Sequence, residues 1–364
     1  KVPIADVRVI VFTLGGGFGG KLNSKLEPAA VILAKKTGRP VRIVAQRAEC
    51  FLLGVQHECT IKLKTGVKRD GTLMAVQALC YYNSGAYGDT SPNLITRGYA
   101  ATGPYRVPHL YMDSYGVYTN TAPSAAFRGY GITQVAWAHE TQMDIIADAL
   151  AIDPIELRFK NILQKGDSFT TGEPMPEMHY NELIASAVEK IGWNKGPLVV
   201  RHDNKICAKG IGVIVKGMAT PTTSTSTVKL NADGSLNVLT SSVEMGQGLK
   251  TALAQIAASE IGLPVERVRI SEPDTAFTPF DLMTAASRAT FCMGNAIRHA
   301  IEDVKHQLRD IAAAHLEANR EDLVLQDGKI MVRGVSGKAL SYVDAIRMSK
   351  ANNLLGHGVF VSGS

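Results

Sequence analysis

Three short stretches hold residue types that could do chemistry. Residues 15–21 read GGGFGGK, a loop whose backbone can approach a ligand closely because glycine tolerates crowding and left-handed dihedrals. Gly15, Gly17 and Gly20 satisfy GxGxxG between an apolar run and a helical pattern, the arrangement that seats a dinucleotide pyrophosphate. The same loop spells GxxxxGK, but a nucleoside-triphosphate loop needs Ser or Thr next to bind magnesium, and Leu22 stands there. For a dinucleotide, an acidic residue should close the following strand, whereas Gln46 and Arg47 follow residues 41–45 and Glu49 is a partial match. A glycine cluster by itself also fits a plain tight turn.

Residues 241–251, SSVEMGQGLKT, set backbone amides and the positive end of a following helix beside Gln247, whose amide both donates and accepts. Such a turn suits a polar, anionic cofactor. Residues 126–131, AFRGYG, set Arg128 between Phe127 and Tyr130 among glycines that admit a ligand; a structural ion pair is the alternative role for that arginine. The five cysteines, Cys50, Cys59, Cys80, Cys207 and Cys292, are widely spaced with no CxxC pair, so neither a disulfide framework nor a protein-ligated iron–sulfur or zinc site is indicated, and a reducing compartment fits.

The elements that must carry these loops are readable from periodicity. Residues 7–14 (VRVIVFTL) are β-branched and apolar at nearly every position, the pattern of a strand buried on both faces, and lead directly into the glycine loop. A helix over 27–36 stops at Thr37-Gly38, and a second apolar run, 41–45, reads as the next strand. Asp70-Gly71, Asp233-Gly234 and Asp327-Gly328 each sit between alternating runs and predict antiparallel hairpins. Helices are expected at 134–150, 250–261 and 294–317, and from Asp153, with Asp153 as cap, Pro154 in the first turn and Glu156 completing a capping box. The fold class is therefore α/β in the mixed α+β sense: two related domains with mixed sheets, antiparallel hairpins and packed helices. Residues 166–181, polar and rich in Gly and Pro, read as a linker between a domain at 1–165 and another at 182–364. An apolar run entering a glycine turn and then a helix occurs in both halves, a weak internal symmetry.

Composition narrows the classes. At 364 residues, 45% hydrophobic and 20% charged, the chain can bury a large core, and wholesale disorder is excluded. No run reaches the ~18 apolar residues of a membrane span. A net charge of +6 without a basic block, at 6% aromatic, argues against nucleic acid. Lys1 in place of Met and the closing Ser-Gly-Ser read as cut ends, and no secretory signal is visible, so a cytoplasmic location is expected.

Taken together and in order, GGGFGGK, AFRGYGITQ, EMGQG and TAASRATFCMGNA resemble the molybdenum hydroxylases, the xanthine dehydrogenase and aldehyde oxidase family, over nearly the whole chain. The likeness is to the molybdopterin-binding portion of the catalytic subunit, truncated and incomplete at its C-terminus. It implies a molybdenum–molybdopterin cofactor, with a dinucleotide form open, held by Phe18, Gly19, Arg128, Met245, Gly246, Gln247, Gly248, Ala286 and Ser287. The metal is expected to have no protein ligand, since the pterin's dithiolene sulfurs bind it. The resemblance further implies hydroxylation of an N-heterocyclic, aromatic or aldehyde substrate with water as the oxygen source. Partners would be iron–sulfur and FAD domains or subunits, the rest of the catalytic subunit, and a dimeric whole complex. Substrate-facing positions would be Leu22, Arg97 and Tyr130.

Two departures qualify the likeness. Leu22 stands where purine-oxidising members carry a glutamate, and leucine accepts no hydrogen bond from a purine ring. No GxGE motif, which carries the family's catalytic glutamate, follows Gly248, and Glu173, in the only Gly-Glu dipeptide, reads as a loop carboxylate. No catalytic residue is thus expected in this chain, which by itself should not turn over substrate. The competing readings are an NAD(P)-dependent dehydrogenase using the GxGxxG loop and a non-catalytic scaffold subunit.

Overall fold

The computed structural model describes residues 2–217 and 221–362. They fall into two compact units, Phe18–Lys216 and a second made of Lys1–Gly17 with Gly217–Ser364. The division runs through the glycine loop, between Gly17 and Phe18, while residues 166–181 belong to the first of these units. There Phe169 and Met175 are buried with Leu163, so this Gly- and Pro-rich stretch is packed loop.

In the unit Phe18–Lys216, α1 (Glu27–Thr37) and α2 (Arg47–Leu53) come first. Gly38, at φ 66°, ends α1 where the Thr-Gly signal predicts it. The strands β1 (Cys59–Val67) and β2 (Leu73–Gly85) then form the Asp70-Gly71 hairpin. A short helix, α3 (Ser91–Leu94), and a 3-10 segment, Ile95–Thr102, carry the chain over to β3 (His109–Tyr118), which pairs parallel to β2. The long helix α4 (Ile132–Leu150) follows, then α5 (Pro154–Asn161) and α6 (Tyr180–Ile191). Asp153 caps α5 by accepting from Ile155 and Glu156 at 2.7 and 3.2 Å. A two-stranded ribbon, β4 (Val199–His202) with β5 (Lys205–Ala208), follows α6.

The other unit repeats that order. β6 (Thr222–Asn231) and β7 (Leu236–Leu239) form the Asp233-Gly234 hairpin, α7 (Leu249–Ile261) crosses over, and β8 (Val268–Ile270) pairs parallel to β7. A single π turn, Ala289–Met293, opens the long α8 (Gly294–Leu316). A small meander of β9 (Leu323–Gln326), β10 (Lys329–Val332) and β11 (Ala339–Ser341), then α9 (Tyr342–Ser349) and β12 (Asn353–Ser362), complete it; β12 pairs antiparallel with β6. α7 and α8 pack on the sheet through Leu253, Ala257, Ile261, Ile297, Ile301 and Val304, all fully buried. Hairpin, helical crossover, parallel strand and long helix thus occur in both units: the fold is mixed α/β, with sheets that are themselves mixed.

The opening strand, helix, strand does not form. Residues 7–14 make one isolated bridge, Ile10 to Asp274, and Val7, Val9, Ile10 and Phe12 stay exposed. Residues 41–45 are extended without a ladder partner. β-branched runs favour extended backbone, but a strand needs a neighbour to take its N–H and C=O groups all along it, and among the described residues 7–14 has a few bonds to 273–275 and one from Leu14 to Glu244. α1 forms yet buries no residue, leaving Val31, Ile32 and Leu33 exposed.

Candidate functional site

Each half of the glycine loop is tied to a different sequence motif. In the unit that carries residues 1–17, Leu14 N–H donates to the Glu244 carbonyl at 2.9 Å and Gly16 N–H to the Met245 carbonyl at 3.0 Å. A Cβ at Gly17 would lie 2.8 Å from Met245 Sδ, so glycine is needed for that approach. In the other unit Gly19, at φ 102°, packs where a Cβ would stand 2.4 Å from the Ala126 carbonyl oxygen.

The EMGQG turn differs from expectation. The amides of Gly246 and Gly248 are not open to a ligand, because the Glu244 carboxylate occupies them. Oε1 accepts from Gly246 N at 2.7 Å and Gly248 N at 3.1 Å, and Oε2 from Lys250 N at 3.0 Å. Partial burial pushes this carboxyl's pKa up, but the backbone N–H groups of Lys250, Gly246, Gly248 and Leu249 outweigh it and hold the pKa below the ordinary range. The first turn of α7 therefore has its own anion. Gln247 locks the turn from the other side, accepting from Met245 N at 2.6 Å and donating to the Val243 carbonyl at 3.0 Å. The residues that face outward are Gly246, Gln247 and Gly248, all exposed, with open space where a Cβ would stand on either glycine. A primary amide has two N–H groups. Gln247 spends one on Val243, so this turn can offer a ligand the second.

Ala286 and Ser287 lie in the same unit. Val243 N donates to Thr284 Oγ1 at 2.8 Å and Ser242 Oγ to Asp281 Oδ2 at 2.6 Å, which fastens the run into the EMGQG turn to the run into the 284–288 corner. Ala286 and Ser287 have φ of 54° and 59°, and among the described residues they are the only adjacent non-glycine residues with positive φ.

The unit Phe18–Lys216 holds the remaining candidates. Gly129, Tyr130 and Gly131 have successive positive φ values of 94°, 52° and 88°, a left-handed run that ends as α4 begins. Phe18 also has a positive φ, 53°. The Arg128 guanidinium lies 6.0 Å from the centroid of the Phe18 ring and makes no ion pair among the described residues. Phe18, Leu22 and Phe127 are exposed apolar side chains on this motif, and Leu22 N donates to the Gly19 carbonyl at 3.1 Å. Arg97 lies 5.6 Å from the Tyr130 ring and 5.8 Å from that of Tyr99, and is held by Asn93 Oδ1 at 3.1 Å. Glu173 is an exposed loop residue whose carbonyl accepts from Phe169 N.

Each unit carries groups able to bind a polar ligand: in Phe18–Lys216 an exposed guanidinium backed by an aromatic ring beside left-handed glycines, and in the other unit a primary amide with an N–H to give. The first turn of α7 does not contribute, since its amides already hold a carboxylate. The dinucleotide reading fails on structure, because neither flanking apolar run is a strand and no parallel strand–helix–strand unit encloses the glycine loop. Sequence reasoning passed over Glu244, whose position within EMGQG was visible but whose partners depend on the turn's dihedrals. It also passed over Asp281 and Arg288, which no spacing marks.

Residues 1–162 match a molybdopterin cofactor-binding domain family and residues 186–363 a second molybdopterin cofactor-binding domain family. The xanthine dehydrogenase molybdenum-binding subunit of Escherichia coli O157:H7 is 34% identical over 347 residues, covering 91% of this chain and 46% of the relative. The nicotinate dehydrogenase large molybdopterin subunit of Eubacterium barkeri is 41% identical over 201 residues, 53% of this chain and 47% of that subunit. Among solved structures, quinoline 2-oxidoreductase from Pseudomonas putida 86 aligns with a TM-score of 0.87 at 26% identity, over 100% of this chain and 50% of its own. The chain spans about half the length of each of these relatives.

Proposed function

With this chain a member of the molybdopterin cofactor-binding domain family found in molybdenum oxidoreductases, we propose that it is the cofactor-holding part of a hydroxylase acting on an N-heteroaromatic or related aromatic substrate, with aldehydes as the second class. When bound, the cofactor supplies two-electron oxidation of an electron-poor carbon, with water as the source of oxygen. The residues of this chain hold and orient it. Arg128 takes an anionic oxygen of the cofactor, Gln247 donates its spare N–H, and Gly246 and Gly248 let the ring system approach the turn. Within the unit Phe18–Lys216, Phe18 and Gly19 face the cofactor, and within the other unit Ala286 with Ser287 do so. Tyr130 offers a flat face to an aromatic substrate, Arg97 orients a polar substituent, and Leu22 keeps the substrate side apolar.

The observation that carries this reading is the exposed guanidinium of Arg128, without an ion-pair partner among the described residues and set over Phe18 in a left-handed glycine turn. The names of two relatives, a nicotinate dehydrogenase and a quinoline oxidoreductase, and the hydrocarbon side chain of Leu22 support an N-heteroaromatic substrate over a purine. Electrons would leave through iron–sulfur and flavin groups on other segments or subunits, within a dimeric complex. The wide spacing of the five cysteines, with no CxxC pair, suits a reducing compartment, and we place the enzyme in the cytoplasm. No helix among the described residues is long and apolar enough to cross a membrane.

The test is elemental and pterin analysis of the full-length catalytic subunit, followed by turnover on quinoline-type, pyridine-type and aldehyde substrates in oxygen-18 water. Molybdopterin in the protein and label in a hydroxylated heteroaromatic are the expected results; co-purification of nicotinamide cofactor alone would refute the reading. The purified 364-residue chain by itself is expected to be inactive, the family's GxGE motif not occurring in it.

A further inference from the structure

Arg288 is fully buried and spends its fork on four acceptors. Nη1 donates to Asp281 Oδ1 at 2.6 Å and to the Met283 carbonyl at 2.5 Å; Nη2 donates to the Thr223 carbonyl at 2.8 Å and to Ser224 Oγ at 2.6 Å. Asp281, whose side chain is 1% exposed, accepts in turn from Ser224 Oγ at 2.8 Å and Ser242 Oγ at 2.6 Å. A buried ion pair is poor evidence for added stability, because desolvating both charges offsets their attraction and apolar replacements often do as well. What a buried pair does supply, when both Nη groups and both carboxylate oxygens are bonded and only Arg288 Nε is left without a partner among the described residues, is fixed geometry. This one joins the start of β6, the run into the EMGQG turn and the 281–288 corner. Between its two members stand Ala286 and Ser287, both left-handed without being glycine, and immediately after it the π turn Ala289–Met293 opens α8. Strained backbone persists only where the surroundings over-determine it, and π turns concentrate at functional sites.

We infer that Asp281 and Arg288 are positioning residues that hold the left-handed Ala286–Ser287 corner in the conformation required to receive the cofactor. This rests on the reading that Ala286 and Ser287 face that cofactor. Neither charge touches the ligand; the pair acts through the backbone between them.

The experiment uses Arg288→Lys, which keeps the charge but loses the fork, and the isosteric Asp281→Asn, both in the full-length subunit. Molybdenum and pterin content are expected to fall about ten-fold or more. In the cofactor-free protein, amides at 284–290 are expected to exchange with deuterium faster while those of β7 keep their protection. Leu253→Ala, in the core of the same unit, serves as a destabilised control and is expected to keep its molybdenum. Ser242→Ala removes one bond to Asp281 and leaves the ion pair, so it is the milder variant and tests the role even where a charge variant fails to fold; a smaller loss in the same direction is expected. Wild-type molybdenum content in Arg288→Lys, Asp281→Asn and Ser242→Ala, or an equal loss in Leu253→Ala, overturns the positioning role. A wild-type subunit that carries no molybdopterin refutes the reading of the site itself, and the inference falls with it.

Discussion

Glu244 makes the sharpest claim about local physics, that α7 begins on an internal carboxylate instead of on an open anion site. Glu244→Gln keeps the shape but leaves a single carbonyl oxygen to accept. If that oxygen stays with Gly246 and Gly248, the new amide faces Lys250 N, donor against donor, and a part-buried N–H is left without a partner. The lost charge at a helix N-terminus is worth about 0.3–1 kcal/mol and the orphaned donor about 1–3 kcal/mol. With the turn partly exposed, the low end applies, a total of about 1–2 kcal/mol. At about 2–4 °C per kcal/mol for a unit of this size, the melting temperature should drop by about 2–8 °C at pH 7. The pKa direction fixes the pH dependence. The folded carboxyl sits below its unfolded value, so its contribution is full above about 4.3 and disappears as pH falls through the depressed folded value. Calorimetry should therefore show the wild-type advantage at pH 7 and its loss in strong acid. Glu244→Ala frees the amides, so millimolar sulfate should raise its melting temperature and leave the wild type unchanged. Equal melting at pH 7, or sulfate stabilising both proteins alike, would refute the internal-anion argument.

Gly19→Ala forces a Cβ to 2.4 Å from the Ala126 carbonyl oxygen at φ 102°, and should destabilise the unit Phe18–Lys216 by about 2–4 kcal/mol in denaturant titration. Arg128→Ala should leave the melting temperature of the cofactor-free protein nearly unchanged, since no ion pair is lost among the described residues, yet cut molybdenum content by about ten-fold or more in the complete enzyme. Glu140→Gln removes the charge facing Arg158 and leaves one accepting oxygen where the carboxylate takes Tyr105 Oη at 2.6 Å on one oxygen and Arg158 Nε at 3.0 Å with Val213 N at 2.9 Å on the other; with Arg158 fully buried, a loss of about 3 kcal/mol is expected. Burial pushes the Glu140 carboxyl up, but bonds from His139, Arg158 and Tyr105 hold it below its ordinary value, so that contribution too should fade only as pH drops through the folded value.

What the sequence disclosed follows the range of the interactions. Asp-Gly turns and alternating runs are local, and all three hairpins stand where they predict. The helices at 132–150, 249–261 and 294–316 were visible for the same reason, each within two residues at its ends. Residues 7–14 and 41–45 misled because apolar β-branched composition reports extended backbone but not whether a neighbour completes the ladder. The network behind the site was not legible. Ser224 meets Asp281 across 57 residues and Arg288 reaches Thr223 across 65, and no spacing rule connects such positions. The linker reading of 166–181 rested on Gly and Pro content, which marks a loop without telling whether Phe169 and Met175 anchor it.

The candidate positions are set apart by strain as much as by motif. Half of the twelve non-glycine residues with positive φ among the described residues sit at a helix end or hairpin turn: Ala151, Glu317 and Lys350 close helices, His179 opens one, and Asp203 and Asp327 turn hairpins. Phe18, Tyr130, Ala286 and Ser287 have no such excuse, and each sits in a conformation that costs an L-residue roughly 1–2 kcal/mol. Glycine would relieve that cost, and glycine is the neighbour at 19, 129 and 131. The side chains at 18 and 130 must then be worth more than the strain they bring: a ring under Arg128 in one case and a ring beside Arg97 in the other. In the unit that holds Ala286 and Ser287, the next residue, Arg288, is bonded to four acceptors, so on the proposed positioning role relaxation of the two left-handed residues is opposed by the bonds that Arg288 would have to give up.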